Sequence, residues 1–148
     1  MNATELQQAM ASDPVLKEAF GGVYMLHERP APFRKPQSFI FNTTGYPGKH
    51  WVCIYFPERG PARYFDPVGD DIQWSTQCFL EDHVYQWKRN YYRYQGYGTE
   101  TCGAFCLFYL SMLHYGLDPY QWLDPTNLEK NEKHVKDFVH RAFGVVVD

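Results

Sequence analysis

Fourteen residues, Cys102 to Tyr115 (CGAFCLFYLSMLHY), carry apolar side chains on nearly every face of a helix. Cys102, Phe105, Cys106, Tyr109, Leu110 and Leu113 follow the 3.6-residue period, while Ala104, Leu107, Phe108 and Met112 fill the remaining faces. Such a helix is stable in water only when covered all round, so the rest of the chain must fold about it. Gly116 ends it and Pro119 follows just beyond. The 12 Tyr, 11 Phe and 4 Trp supply the covering area and exclude intrinsic disorder. With 148 residues and no repeat, linker or low-complexity tract, a single domain over 1–148 is expected.

Before that helix the chain reads as alternating short elements. Asp13 as cap, Pro14 at the first helical position and Gly21-Gly22 as a stop predict a short helix over Asp13–Phe20. Three prolines between Glu28 and Gln37 predict an irregular connection. Strands are expected at Ser38–Asn42, His50–Phe56 and Ala62–Asp66, joined by turns over Thr43–Lys49 and Pro57–Pro61. The second strand is apolar on both faces, which puts it in the middle of a covered sheet. A helix over about Asp71–Trp87 and an aromatic strand over Asn90–Gln95 come next. A final amphipathic helix is expected over about Thr126–Ala142, with Leu128, Val135, Phe138 and Val139 inward and its Lys and Glu residues outward. Together these predict an α+β domain, a small and largely antiparallel sheet packed against a buried central helix.

Charge and cysteine content narrow the function. A net charge of −3 gives no whole-molecule attraction to nucleic acid or an anionic membrane. No apolar run approaches the ~18 residues of a membrane span. The first eleven residues, MNATELQQAMA, lack the basic and apolar regions of a signal peptide. The four cysteines, Cys53, Cys78, Cys102 and Cys106, do not form a secreted disulfide framework, so a reducing, intracellular setting is expected. A structural zinc site would need paired short spacings that neither Cys78 and His83 nor Cys102 and Cys106 provide.

Three polar positions do not fit a solvated surface. Cys102 begins the buried helix, where free N–H groups and the macrodipole favour a thiolate and could bind an oxyanion. His50 opens the central strand and Asp66 ends its neighbour, so the hairpin can bring imidazole and carboxylate together. Gln95 is an amide donor seven residues before Cys102, and Gly103 is expected to leave room for a substrate backbone. Taken singly, each has a bland reading as core, cap or turn residue.

Four blocks in order resemble the adenain family, the adenovirus-type cysteine endopeptidases: Gly48-Lys49-His50-Trp51-Val52, Tyr64-Phe65-Asp66-Pro67-Val68-Gly69, Gln95-Gly96, and Cys102-Gly103-Ala104-Phe105-Cys106. Asp124-Pro125-Thr126-Asn127-Leu128 resembles a further family element before the last helix. The resemblance spans roughly residues 22–143 and implies a papain-like core within the wider ubiquitin-like-protease fold group. It implies Cys102 as nucleophile, His50 as general base and acid, Asp66 as the orienting carboxylate, and Gln95 with the Cys102 N–H as the oxyanion hole. Trp51 would wall the imidazole. The implied activity is cleavage of viral or virus-like-element precursor polypeptides at Gly-Gly-type sites through a thioester, in a host nucleus or a virion, by an enzyme expected to be monomeric. The family also implies a peptide or DNA activator. Cys78, seventeen residues before Gln95, is not at the family's cofactor-linking position, and the acidic balance argues against DNA; no cofactor or metal is required by the residues. A deconjugating isopeptidase for a ubiquitin-like modifier, or a non-catalytic interaction module with Cys102 merely packed, stay open as alternatives.

Overall fold

The computed structural model describes residues 1–25, 28–43 and 50–148. Five strands lie in the order β1 (Phe20–Tyr24), β2 (Gln37–Asn42), β3 (Trp51–Phe56), β4 (Ala62–Phe65) and β5 (Trp87–Arg89). β2, β3 and β4 are antiparallel, whereas the edge strands β1 and β5 pair parallel to their neighbours. The antiparallel centre is the part legible in the sequence; the parallel edges make the sheet mixed. Of the expected Thr43–Lys49 turn, residues 44–49 lie outside the described residues, but Thr43 N–H donates to His50 O at 3.1 Å across its base.

Period-2 alternation sends the two faces of β3 into different cores. Val52, Ile54 and Phe56 join Phe39, Phe41 and Tyr64 on one side, beneath Phe79 and Leu80 of α3 (Trp74–Glu81). Trp51 and Cys53 face the other side, where α4 (Cys102–His114) lies. Every residue of α4 from Cys102 to Ser111 is buried, as an all-round apolar helix requires. It is covered by β3, by α5 (Leu128–Phe143), and by α1 (Ala3–Ala11) and α2 (Pro14–Ala19).

The differences from the sequence reading have local causes. α1 begins with a reciprocal cap, Asn2 and Glu5 each bonding the other's backbone N–H at 2.9 Å, and buries Leu6, Ala9 and Met10 on one face. Gly21-Gly22 does not simply stop α2; it opens β1, because a Cβ at Gly21 would lie 2.1 Å from the buried ring of Phe39. The helix expected over Asp71–Trp87 is the shorter α3, and Trp87 already belongs to β5. The stretch Asn90–Gln95 is not a strand. Asn90 turns its side chain onto the backbone of Asp66, and the N–H groups of Tyr94 and Gln95 both donate to Pro67 O, at 2.9 and 3.0 Å. In α5 the buried face includes Asn131 and also Glu132, although the Glu residues of this helix were expected outward.

Gly21→Val should cost about 1–3 kcal/mol of folding stability in urea denaturation, because Phe39 is packed on all sides and cannot retreat. An unchanged midpoint would contradict the close β1–β2 approach.

Candidate active site

The chain enters β3 at His50 and leaves β4 at Asp66. The β3–β4 ladder pairs Cys53 with Phe65, so one further step sets Asp66 opposite Val52, within reach of His50. His50 Nε2 and Asp66 Oδ1 are 2.8 Å apart. Asp66 is buried, and the same Oδ1 accepts the Val68 N–H at 2.9 Å, so the carboxylate is oriented from its own turn. With Nε2 committed to Asp66, Nδ1 is the ring nitrogen left for Cys102, which lies beside the imidazole and helps to hold its proton. The Cys102 sulfur also accepts the Trp51 N–H at 3.4 Å. His50, Asp66 and Cys102, read separately from the sequence, are thus brought together in one chain of contacts.

Burial alone would drive the proton off His50. The hydrogen bonds to Asp66 and Cys102, and the negative charge that each can carry, outweigh it and push the imidazole pKa up to about 10. An imidazolium beside a sulfur favours the thiolate, the nucleophilic form. Cys102 is only 3% exposed, while the His50 side chain is 21% exposed, so access runs along the imidazole.

Thr101 precedes α4 but does not cap it, because its hydroxyl donates to Glu132 Oε2 at 2.7 Å. The side chain of the N-cap residue is thus turned away from the first turn of α4. Gln95 is buried nearby in sequence, at the head of the same loop, and donates from Nε2 to Thr99 O at 3.0 Å and Thr99 Oγ1 at 3.1 Å. These two acceptors can take up both amide hydrogens, while Oε1 is buried without a hydrogen-bond partner among the described residues. Gly103 does not open the site to a substrate. A Cβ there would lie 3.2 Å from Leu6 and 3.3 Å from Trp51, so the space it leaves is filled by α1 and the indole. The Trp51 ring is held by its Nε1–H donating to Met1 O at 3.0 Å.

Three polar residues outside the motifs hold the frame. Asn90 accepts the Asp66 N–H at 3.0 Å and donates to Asp66 O at 2.6 Å, gripping the backbone that carries the carboxylate. From α5, Asn131 donates to Tyr94 O at 3.1 Å, and Glu132 accepts Gly96 N–H at 3.0 Å together with the Thr101 hydroxyl. These two fix both ends of the Gln95–Thr101 loop. No local sequence pattern marks them, because their partners lie far away along the chain. Cys106 lies one turn beyond Cys102 and is sealed; burial and its neighbour Cys53 push its thiol well up. Among the described residues no group of three His, Cys, Asp or Glu is placed to hold a metal ion, and no helix is long and apolar enough to cross a membrane.

The chain matches no family model and no curated protein sequence. Its structure is similar to the crystal structure of ASFV pS273R protease, with a TM-score of 0.61 and 16% identity, covering 99% of this chain and 67% of that one. A selenomethionine crystal structure of the same protease aligns with a TM-score of 0.49 and 20% identity, over 80% of this chain and 47% of that one. At such identity the likeness is one of fold. The chain has the α+β fold of the papain-like cysteine proteases. The likeness supports the wider fold group and does not extend to the adenain family specifically.

Two consequences are measurable. Glu132→Ala leaves the Gly96 N–H and Thr101 hydroxyl without their acceptor and should cost about 1.5–3 kcal/mol in chemical denaturation. The two most strongly shifted histidines also set a pH profile. His50, raised from 6.5 to about 10, stabilises the fold fully below pH 6.5, and this is lost as pH rises through 10. His114, which burial lowers from 6.5 to about 4, acts oppositely: below pH 6.5 the unfolded chain takes the proton first, and stability falls toward pH 4. Stability should peak near pH 6.5, and His50→Asn should flatten the alkaline limb alone.

Proposed function

We propose that this chain is a cysteine endopeptidase with Cys102 as nucleophile, His50 as general base and acid, and Asp66 as the carboxylate that orients the ring. The observation that carries this reading is the continuous contact from Asp66 through His50 to Cys102 at the head of a buried helix. The fold likeness to a protease agrees with it.

In this reading the Cys102 thiolate attacks the scissile carbonyl carbon, forming a C–S bond while the carbonyl π electrons move onto oxygen. The oxyanion is received by the Cys102 N–H and by the Gln95 amide. Collapse expels the amine, which takes its proton from the His50 imidazolium, leaving a thioester. His50 then removes a proton from water, the hydroxide adds to the thioester, and Cys102 leaves as thiolate again. Asp66 remains a carboxylate throughout and fixes the ring so that Nδ1 faces the sulfur. The substrates we propose are precursor polypeptides of a virus or virus-like element, cut at Gly-Gly-type sites.

Cys102→Ala should abolish cleavage of a Gly-Gly-containing precursor without unfolding the protein, and His50→Ala should be nearly as damaging. Asp66→Asn should reduce kcat less, and Gln95→Ala by about 10²–10³-fold. Single-turnover assays on purified variants, with ubiquitin-like fusions run beside the precursor, check this series. Loss of activity in Cys106→Ala but not Cys102→Ala, or cleavage of the fusions alone, would contradict the proposal.

A further inference from the structure

On the far side of the β4–β5 pair from α3, two cations stand side by side. Arg63 of β4 and Lys88 of β5 are direct cross-strand partners. Both line one open cavity of about 300 Å³, together with Arg89, Asn90, Tyr92, Tyr109 and Tyr120. Like charges directly opposite in a sheet repel one another, and the usual remedy is an acid beside them. No carboxylate lines this cavity among the described residues. Neighbouring Arg89 shows the contrast: it is paired with Asp71 at 2.8 Å, donates to Gly69 O and Asp70 O, and lies 4.5 Å over the Tyr91 ring.

Arg63 has none of these. Among the described residues its half-buried guanidinium has neither an ion pair nor a hydrogen bond. It sits near enough to the hydroxyls of Tyr109 and Tyr120 to favour their ionised forms against a burial that disfavours them. Those hydroxyls approach each other at 3.4 Å, giving a weak contact that a better acceptor could replace. A rigid fork of donors, a mobile ammonium and phenolic O–H groups around a space with no carboxylate form a donor-rich lining, in which the Asn90 amide oxygen is already taken by the Asp66 N–H.

We propose that this cavity binds a small phosphorylated molecule, with its phosphoryl group between Arg63 and Lys88 and the rest of it against the tyrosine rings. An anion there would turn a cross-strand repulsion into two charge-assisted contacts and give the Arg63 fork the bidentate partner that it lacks. The volume is at the small end of ligand sites, enough for a phosphate ester and too small for a large cofactor. The site does not depend on the protease reading, although Asn90, which grips Asp66, is also part of its wall.

Calorimetric titration of the whole chain with inorganic pyrophosphate, at constant ionic strength, tests it. Saturable binding at one site is expected, weakened on the order of tenfold or more by Arg63→Met and by Lys88→Met. Lys17→Met, on exposed α2, should leave binding unchanged. Saturating pyrophosphate should also raise the melting temperature of the parent protein by about 2–4 °C per kcal/mol of linked binding, and of Arg63→Met by much less. Lys88 is exposed, so its variant keeps the test open should Arg63→Met fold poorly. No saturable binding, or equal weakening by Lys17→Met, would overturn the proposal.

Discussion

The need to bury α4 on every side governs the architecture. A helix with Cys102 to Ser111 all withdrawn from water cannot lie on a surface, so the sheet takes one side and α1, α2 and α5 take the others. β3 is the strand beneath it, which is why that strand is apolar on both faces. The site follows from this contact. The start of α4 comes to rest beside the start of β3, so the Trp51 N–H meets the Cys102 sulfur across fifty-one residues of sequence. His50, one residue earlier, is then fixed between that sulfur and Asp66 at the end of the adjacent strand.

A buried imidazole raised rather than lowered in pKa shows which force prevails here. Desolvation works against its charge, and it does so unopposed at His114, whose Nε2 meets the Ser38 hydroxyl and whose pKa falls to about 4. At His50 the contacts with Asp66 and Cys102 reverse the result. The same domain thus holds one histidine tuned to stay neutral and another tuned to stay charged, and the difference lies in partners rather than depth. Holding those partners is the task of residues that take no part in any chemistry. Asn90 secures the backbone of Asp66, while Asn131 and Glu132 secure the loop that ends at Cys102.

Much of this was legible in the order of residues. Alternation gave β2, β3 and β4 within a residue of their observed bounds, and the apolar period gave α4. His50, Asp66, Gln95 and Cys102 could be singled out because each is a polar residue at the boundary of an apolar element. What escaped was of two kinds. α1 was written in Asn2, Glu5, Leu6 and Met10, a capping box followed by an apolar stripe, and was legible but unread. β1 and β5 were hidden because parallel edge strands carry glycines or charges in place of an alternating pattern, and only pairing with β2 and β4 makes them strands. Asn90 and Glu132 act on partners 24 to 36 residues away, and no local pattern marks a polar side chain whose partner is a distant backbone group.

Selective alkylation tests the central claim most directly. With limiting iodoacetamide near pH 6, followed by peptide mass mapping, Cys102 should be modified well ahead of Cys78, even though Cys78 is the more exposed of the two. Cys53 and Cys106 should stay unmodified, and His50→Asn should remove the preference. Modification of Cys78 first, or of Cys102 at a rate unchanged by His50→Asn, would contradict an imidazole-activated sulfur at the head of α4.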